Sequence, residues 1–149
     1  GLGSRERLLL QIAVLLHACG KFISIRNSNE CSYNIIMSNE IIGLSHIERE
    51  MVALIARYNT VTLPSYDELV MESSLSAEQY LTVSELTAIV RLANALDRSH
   101  LQKIQERELQ LSLTVNRDFT LEQGLCQQKL DFFNEVFSIQ PVIKLKRQM

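Results

Sequence analysis

The chain has 149 residues, of which 46% are hydrophobic and 21% charged, with a formal net charge of −2. A chain of this size is one domain, or one domain with a small appendage, and it buries roughly 70% of its unfolded surface, so it needs neither disulfides nor a metal to fold. The charge balance excludes a broadly basic nucleic-acid binder but leaves room for a local basic patch, and no apolar run approaches the ~20 residues of a membrane helix.

In chain order, Leu8, Leu9, Leu10, Ile12, Val14, Leu15 and Leu16 are too continuous for one amphipathic stripe. They predict a helix that is apolar all round, hence central and buried, closed by Gly20 as a left-handed cap. The polar stretch 26–30 reads as a loop, followed by a short helix from about Tyr33 to Ser38. Ser45 and Glu48 form a capping box ahead of Met51, Leu54, Ile55 and Tyr58, whose spacing predicts a helix over about 46–58. Pro64 interrupts, and Ser65 with Glu68 opens a further short helix. Thr82 with Glu85 reads as the cap of the last long helix, with Leu86, Ile89, Val90 and Ala93 inward and Asp97 on that same face.

After residue 100 the period changes. Leu109, Leu111, Leu113 and Val115 alternate with polar residues as a half-buried strand does, and a return strand begins near Phe119 and Leu121. Residues 124–137 resume helical spacing, and Pro141 introduces a last strand at Val142, Ile143 and Leu145, ending in Lys144, Lys146 and Arg147. The expected fold is therefore mainly α: a helical bundle over 1–104, followed by a small ββαβ-like subdomain over 105–149. Cys19, Cys31 and Cys126 are odd in number and form no CxxC pair. They read as reduced, buried thiols of a cytoplasmic protein.

Two fragments carry the chemistry: His17-Ala18 and, eighty positions later, Asp97-Arg98. They resemble the two ends of an HD-type metal site, in which imidazole and carboxylate ligands hold divalent cations that activate water for phosphoester hydrolysis. Alanine at position 18 has no donor atom, so the oxygen ligand expected after the histidine is missing. Asp97, on an inward face, needs a cation or hydrogen bonds to offset its burial, and His17 could supply one.

Residues 16–23 (LHACGKFI) resemble the LHDIGKFI-type segment of the exopolyphosphatase and guanosine pentaphosphate phosphatase family, Ppx/GppA. Residues 31–36 (CSYNII) are similar to its HSYYII segment, residues 43–58 to its GFSHRER-MIALIARYH stretch, and residues 91–100 (RLANALDRSH) to its RLADALDRSH motif. The resemblance is strong over about 8–104 and weak in the tail. It implies an HD-like helical bundle that forms the C-terminal part of a longer hydrolase, a homodimer, whose hydrolytic residues, and any Mg²⁺, lie in preceding actin-like domains. A chain starting at Gly1-Leu2-Gly3, just ahead of the HD-like helix, is what an excised domain would show.

The departures matter as much. Ala18 replaces the aspartate, Cys31 a histidine, and Asn59 the histidine after Arg-Tyr. Cys31 could bind zinc as a thiolate, but with His17 and Asp97 that makes at most three ligands, and a buried thiol is the simpler reading. No metal is expected in this chain. The expected role is a non-catalytic module that holds polyphosphate or guanosine pentaphosphate and supports dimerisation, with Lys21, Arg26, Arg57, Arg98, Lys144, Lys146 and Arg147 as the candidate polyanion contacts. The bland reading of the arginines, Arg91 included, is solvated charge, and His46 would serve a local cap. A metal-dependent HD phosphohydrolase with a degenerate site and a purely structural or regulatory domain are the competing readings. Neither a membrane nor a specific nucleic acid is an expected partner.

Overall fold

In the computed structural model, residues 2–96, 104–105, 112–115, 129–133, 135–136 and 144–147 are described. The core is laid down by α3 (His46–Arg57), which starts where the capping box places it. The Ser45 hydroxyl accepts from the Glu48 amide at 3.2 Å, and the Glu48 carboxylate accepts from the Ser45 amide at 2.8 Å. Every residue from Glu50 to Ala56 is buried, so α3 is the central helix of the bundle.

The expectation for α1 (Ser4–Leu16) needs correction. It buries Leu9 and Ala13, four apart, and packs on α3 along that one edge, while Leu8, Val14 and Leu15 face outward. Arg5 joins the two helices with a two-pronged contact to Glu48, at 2.5 and 2.8 Å, and donates to the Gly43 carbonyl at 2.7 Å. The Arg5 guanidinium, together with the Ser45 amide, holds the Glu48 carboxyl down at about 2.

Gly20 is not a left-handed cap. It lies in a 3-10 turn, Cys19–Phe22, where a Cβ would stand 2.1 Å from the Ser28 carbonyl oxygen and 2.4 Å from the Ser32 nitrogen. Glycine is there so that α2 (Ser28–Ser38) can press against the turn. The glycine with positive φ is Gly43, at +91°, in the turn before α3. Helix α2 also begins five residues earlier than the sequence suggests, taking in much of the polar stretch.

Short α4 (Tyr66–Leu69) follows its Ser65–Glu68 box as expected. Helix α5 (Ala77–Leu96) starts well before Thr82. Ser76 and Gln79 form its capping pair, amide to Oε1 at 2.8 Å and amide to Oγ at 3.3 Å, while Thr82 only bonds back to the Glu78 carbonyl. Val83, Leu86 and Val90 enter the same core as Leu9, Ile36 and Ile55, but Ala93 is exposed. Tyr80 donates to the Pro64 carbonyl at 2.7 Å and stacks obliquely on Tyr66, fastening α4 to α5.

The chain divides into two compact units, Gly1–Val90 and Arg91–Met149. In the second, Arg91 is buried, not solvated. Its guanidinium lies 4.6 Å from the Phe132 ring centroid, and burial lowers its pKa. β1 (Ile104–Gln105) pairs antiparallel with β2 (Ser112–Val115), which pairs parallel with β3 (Lys144–Arg147), Leu113 opposite Leu145. The expected ββαβ subdomain is not established by these pieces: the return strand near Phe119 and most of the helix over 124–137 lie outside the described residues.

Candidate functional site

The sequence brings its candidate ligands to α2 from both sides. The Ser32 hydroxyl donates to the His17 carbonyl at 3.0 Å and accepts from the Gly20 amide at 2.9 Å, setting the end of α1 beside the residue next to Cys31. From the other side, Asn29 accepts from the Asn59 amide at 3.4 Å and donates to the Thr60 hydroxyl at 2.7 Å. Two residues of α2, Asn29 and Ser32, therefore hold the surroundings of His17, Cys31 and Asn59 together.

Each side chain has a local task. His17 is half-buried, and its Nδ1 lies 2.7 Å from the Val14 carbonyl, so that the ring donates to the backbone of its own helix. Asn59 is buried and donates to the Ala56 carbonyl, satisfying the C-terminal end of α3. Cys31 and Cys19 are half-buried thiols, less enclosed than expected. Ala18 offers no donor. Among the described residues no three His, Cys, Asp or Glu side chains gather closely enough to hold a metal ion. Asp97, Arg98 and Cys126 lie outside the described residues.

Arg57 is clamped. Its Nε donates to Glu30 at 2.8 Å, Glu72 stands 3.9 Å from Nη1, and the guanidinium lies 4.8 and 5.5 Å from the rings of Tyr33 and Tyr58. Burial pushes both tyrosine hydroxyls above their usual range. Around this clamp opens a cleft of about 510 Å³, lined on one side by Arg26, Asn27, Ser28, Asn29 and Glu30, and on the other by Arg57, Tyr58 and Thr60. Two of the arginines singled out from the sequence thus share one cavity. Lys21 is exposed on the 3-10 turn, outside that lining, and Lys144, Lys146 and Arg147 fall on β3 in the second unit. His46 accepts from Arg49 at 2.9 Å and does no more than support the start of α3.

The sequence reading missed Glu30, the partner that decides how available Arg57 is, and Ser32, the hinge of the site. It also missed Glu50, a buried carboxylate on α3. Glu50 accepts from the Ser74 amide at 3.1 Å with one oxygen, and its other oxygen has no hydrogen-bond partner among the described residues. Two signals were readable. Position 30 is the one acidic residue of the polar stretch 26–30, directly before Cys31, and position 50 lies four residues from Leu54 on the inward stripe of α3.

A family model for Ppx/GppA phosphatase, domain III, matches residues 2–134. The chain belongs to the Ppx/GppA phosphatase family. No curated protein matches the sequence. As a domain III of this family the chain is mainly helical, and no helix among its described residues is long and apolar enough to cross a membrane.

Proposed function

We propose that this domain III is a non-catalytic, polyanion-holding module of a Ppx/GppA-type phosphohydrolase, with inorganic polyphosphate or guanosine pentaphosphate as its ligand. In this reading, phosphoanhydride hydrolysis and any Mg²⁺ belong to the actin-like domains of such enzymes, acting in the cytoplasm, and the module also self-associates. The observation that carries it is the shared cleft. Arg26 and Arg57 face one cavity in which Asn27, Ser28, Asn29, Tyr58 and Thr60 offer amide and hydroxyl groups to phosphate oxygens, beside the Glu30 carboxylate that pairs with Arg57. Two observations favour this reading over an HD metal centre: position 18 lacks a donor, and the Asn59 amide is engaged with α3.

The test is a titration of the 149-residue protein with long-chain inorganic polyphosphate at several salt concentrations. Binding should weaken steeply as salt rises. Arg26→Ala should lower affinity and reduce the salt slope by about one ion. Undetectable binding at low ionic strength sinks the polyanion role and leaves the purely structural reading, which the engagement of Arg57 by Glu30 already favours at that one residue.

A further inference from the structure

We propose that Cys19 and Cys31 form a reversible dithiol–disulfide switch that fastens the turn after α1 to α2. Both are half-buried free thiols. Each stands immediately before one member of a backbone contact, Gly20 against Ser32. The Gly20 amide donates to the Ser32 hydroxyl at 2.9 Å, and a Cβ on Gly20 would lie 2.4 Å from the Ser32 nitrogen. Through those atoms and standard backbone dimensions, the Cα atoms of Cys19 and Cys31 are no more than about 10 Å apart. A disulfide spans roughly 4.4–6.8 Å between Cα atoms, inside that limit. The same Ser32 hydroxyl also donates to the His17 carbonyl at 3.0 Å, so the chain is tied to α2 at positions 17 and 20, on both sides of Cys19.

The ring so closed runs from 19 to 31 and contains Arg26, Asn27, Ser28, Asn29 and Glu30, one bank of the cleft. Glu30, whose carboxylate accepts from Arg57, directly precedes Cys31. The bond therefore stiffens that bank and leaves the facing one, Arg57, Tyr58 and Thr60, outside the ring. This follows from position alone, whatever the cleft takes up.

The oxidant is a low-molecular-weight disulfide. One cysteine thiolate attacks a sulfur of that reagent, whose S–S bond breaks, and a mixed disulfide forms as one small thiol leaves. The second cysteine thiolate then attacks the protein sulfur of the mixed disulfide, and the second small thiol leaves. The two cysteine sulfurs lose two electrons to the reagent, and their two protons end on the released thiols. Excess small thiol runs the same steps backwards.

The test equilibrates the 149-residue protein in glutathione buffers of increasing oxidised-to-reduced ratio, alkylates the remaining thiols and maps the tryptic peptides by mass spectrometry. Cleavage after Arg7, Lys21, Arg26, Arg49, Arg117 and Lys129 places Cys19, Cys31 and Cys126 in separate peptides. A 19–31 crosslink that forms and is reversed with the ratio is expected. The oxidised protein should melt about 5–10 °C higher, the gain of a disulfide closing a short loop. Cys19→Ser and Cys31→Ser should each abolish that shift, and Cys126→Ser should keep it. Should Cys31→Ser fail to fold, Cys19→Ser carries the comparison. Glutathione caps on both thiols with no bond between them overturn the proposal, as does a bond that runs to Cys126 instead. A crosslink without a thermal shift sinks it too, since such a bond fastens nothing. The polyphosphate titration is made on the reduced protein, so failure of the ligand reading leaves this one standing.

Discussion

One methyl group is enough to probe the junction between the first two helices. At Gly20 it would meet the backbone of α2, which cannot give way, so Gly20→Ala should lower stability by about 3 kcal/mol or more. Gly43→Ala meets nothing within 4 Å and should lose about 1–2 kcal/mol through its positive φ alone. Urea unfolding of the two variants separates steric from conformational need, and equal losses would refute the distinction. Glu48 offers a second probe at this scale. Its carboxyl is held near 2 in the folded protein against 4.5 when free. Its contribution to stability is therefore complete above pH ~4.5 and is lost as pH falls toward 2. Glu68, held down by the Ser65 amide, acts in the same direction. The denaturant midpoint should fall across that window, and Glu48→Gln should flatten the fall. An unchanged profile would mean that Arg5 does not hold the carboxylate in solution.

Among the elements, the sequence reader does best where local chemistry and tertiary packing agree. Helix α3 has a complete capping box, a clear apolar stripe and a central position, and its limits were legible to within a residue. Helix α5 shows the opposite case. Two capping patterns compete, Ser76–Gln79 and Thr82–Glu85, and period alone cannot choose between them, because helical spacing persists through both. The structure chooses the first. Ser76→Ala should therefore lower stability by about 1 kcal/mol, whereas Thr82→Ala, which deletes a mid-helix bond back to Glu78, should be near neutral. The reverse order in thermal melts would place the helix start at 82. Helix α1 was misread for a different reason. A continuous apolar run tells that a helix is covered on most sides, but not whether its own chain does the covering. Burial of Leu9 and Ala13 beside exposure of Leu15 shows a helix with one face in the core and one face outside.

At the scale of the whole molecule, the family was legible because four motif-bearing segments fall in order along the chain, and the match over 2–134 bears this out. The candidate site was legible only in part. His17 stands out as a retained ligand position and Cys31 and Asn59 as altered ones, yet what joins them is Ser32 and Asn29, whose ordinary hydroxyl and amide carry no motif. Arginine 57 was recognised as a cation, but its carboxylate partner lies 27 residues away, a pairing that only the packing of α2 on α3 creates.

That pairing sets how the cleft must behave. Arg26, Arg57 and Glu30 leave it with one net positive charge, and the positive group with the most aromatic support is already neutralised by a tethered anion. A phosphate ligand of the kind proposed would not fill an empty binding place. It would exchange with a resident carboxylate, as an ion does on a resin. The release of Glu30, bound at the effective concentration of its own chain, would then set a threshold below which a single phosphate gains little and above which a chain of them could displace it.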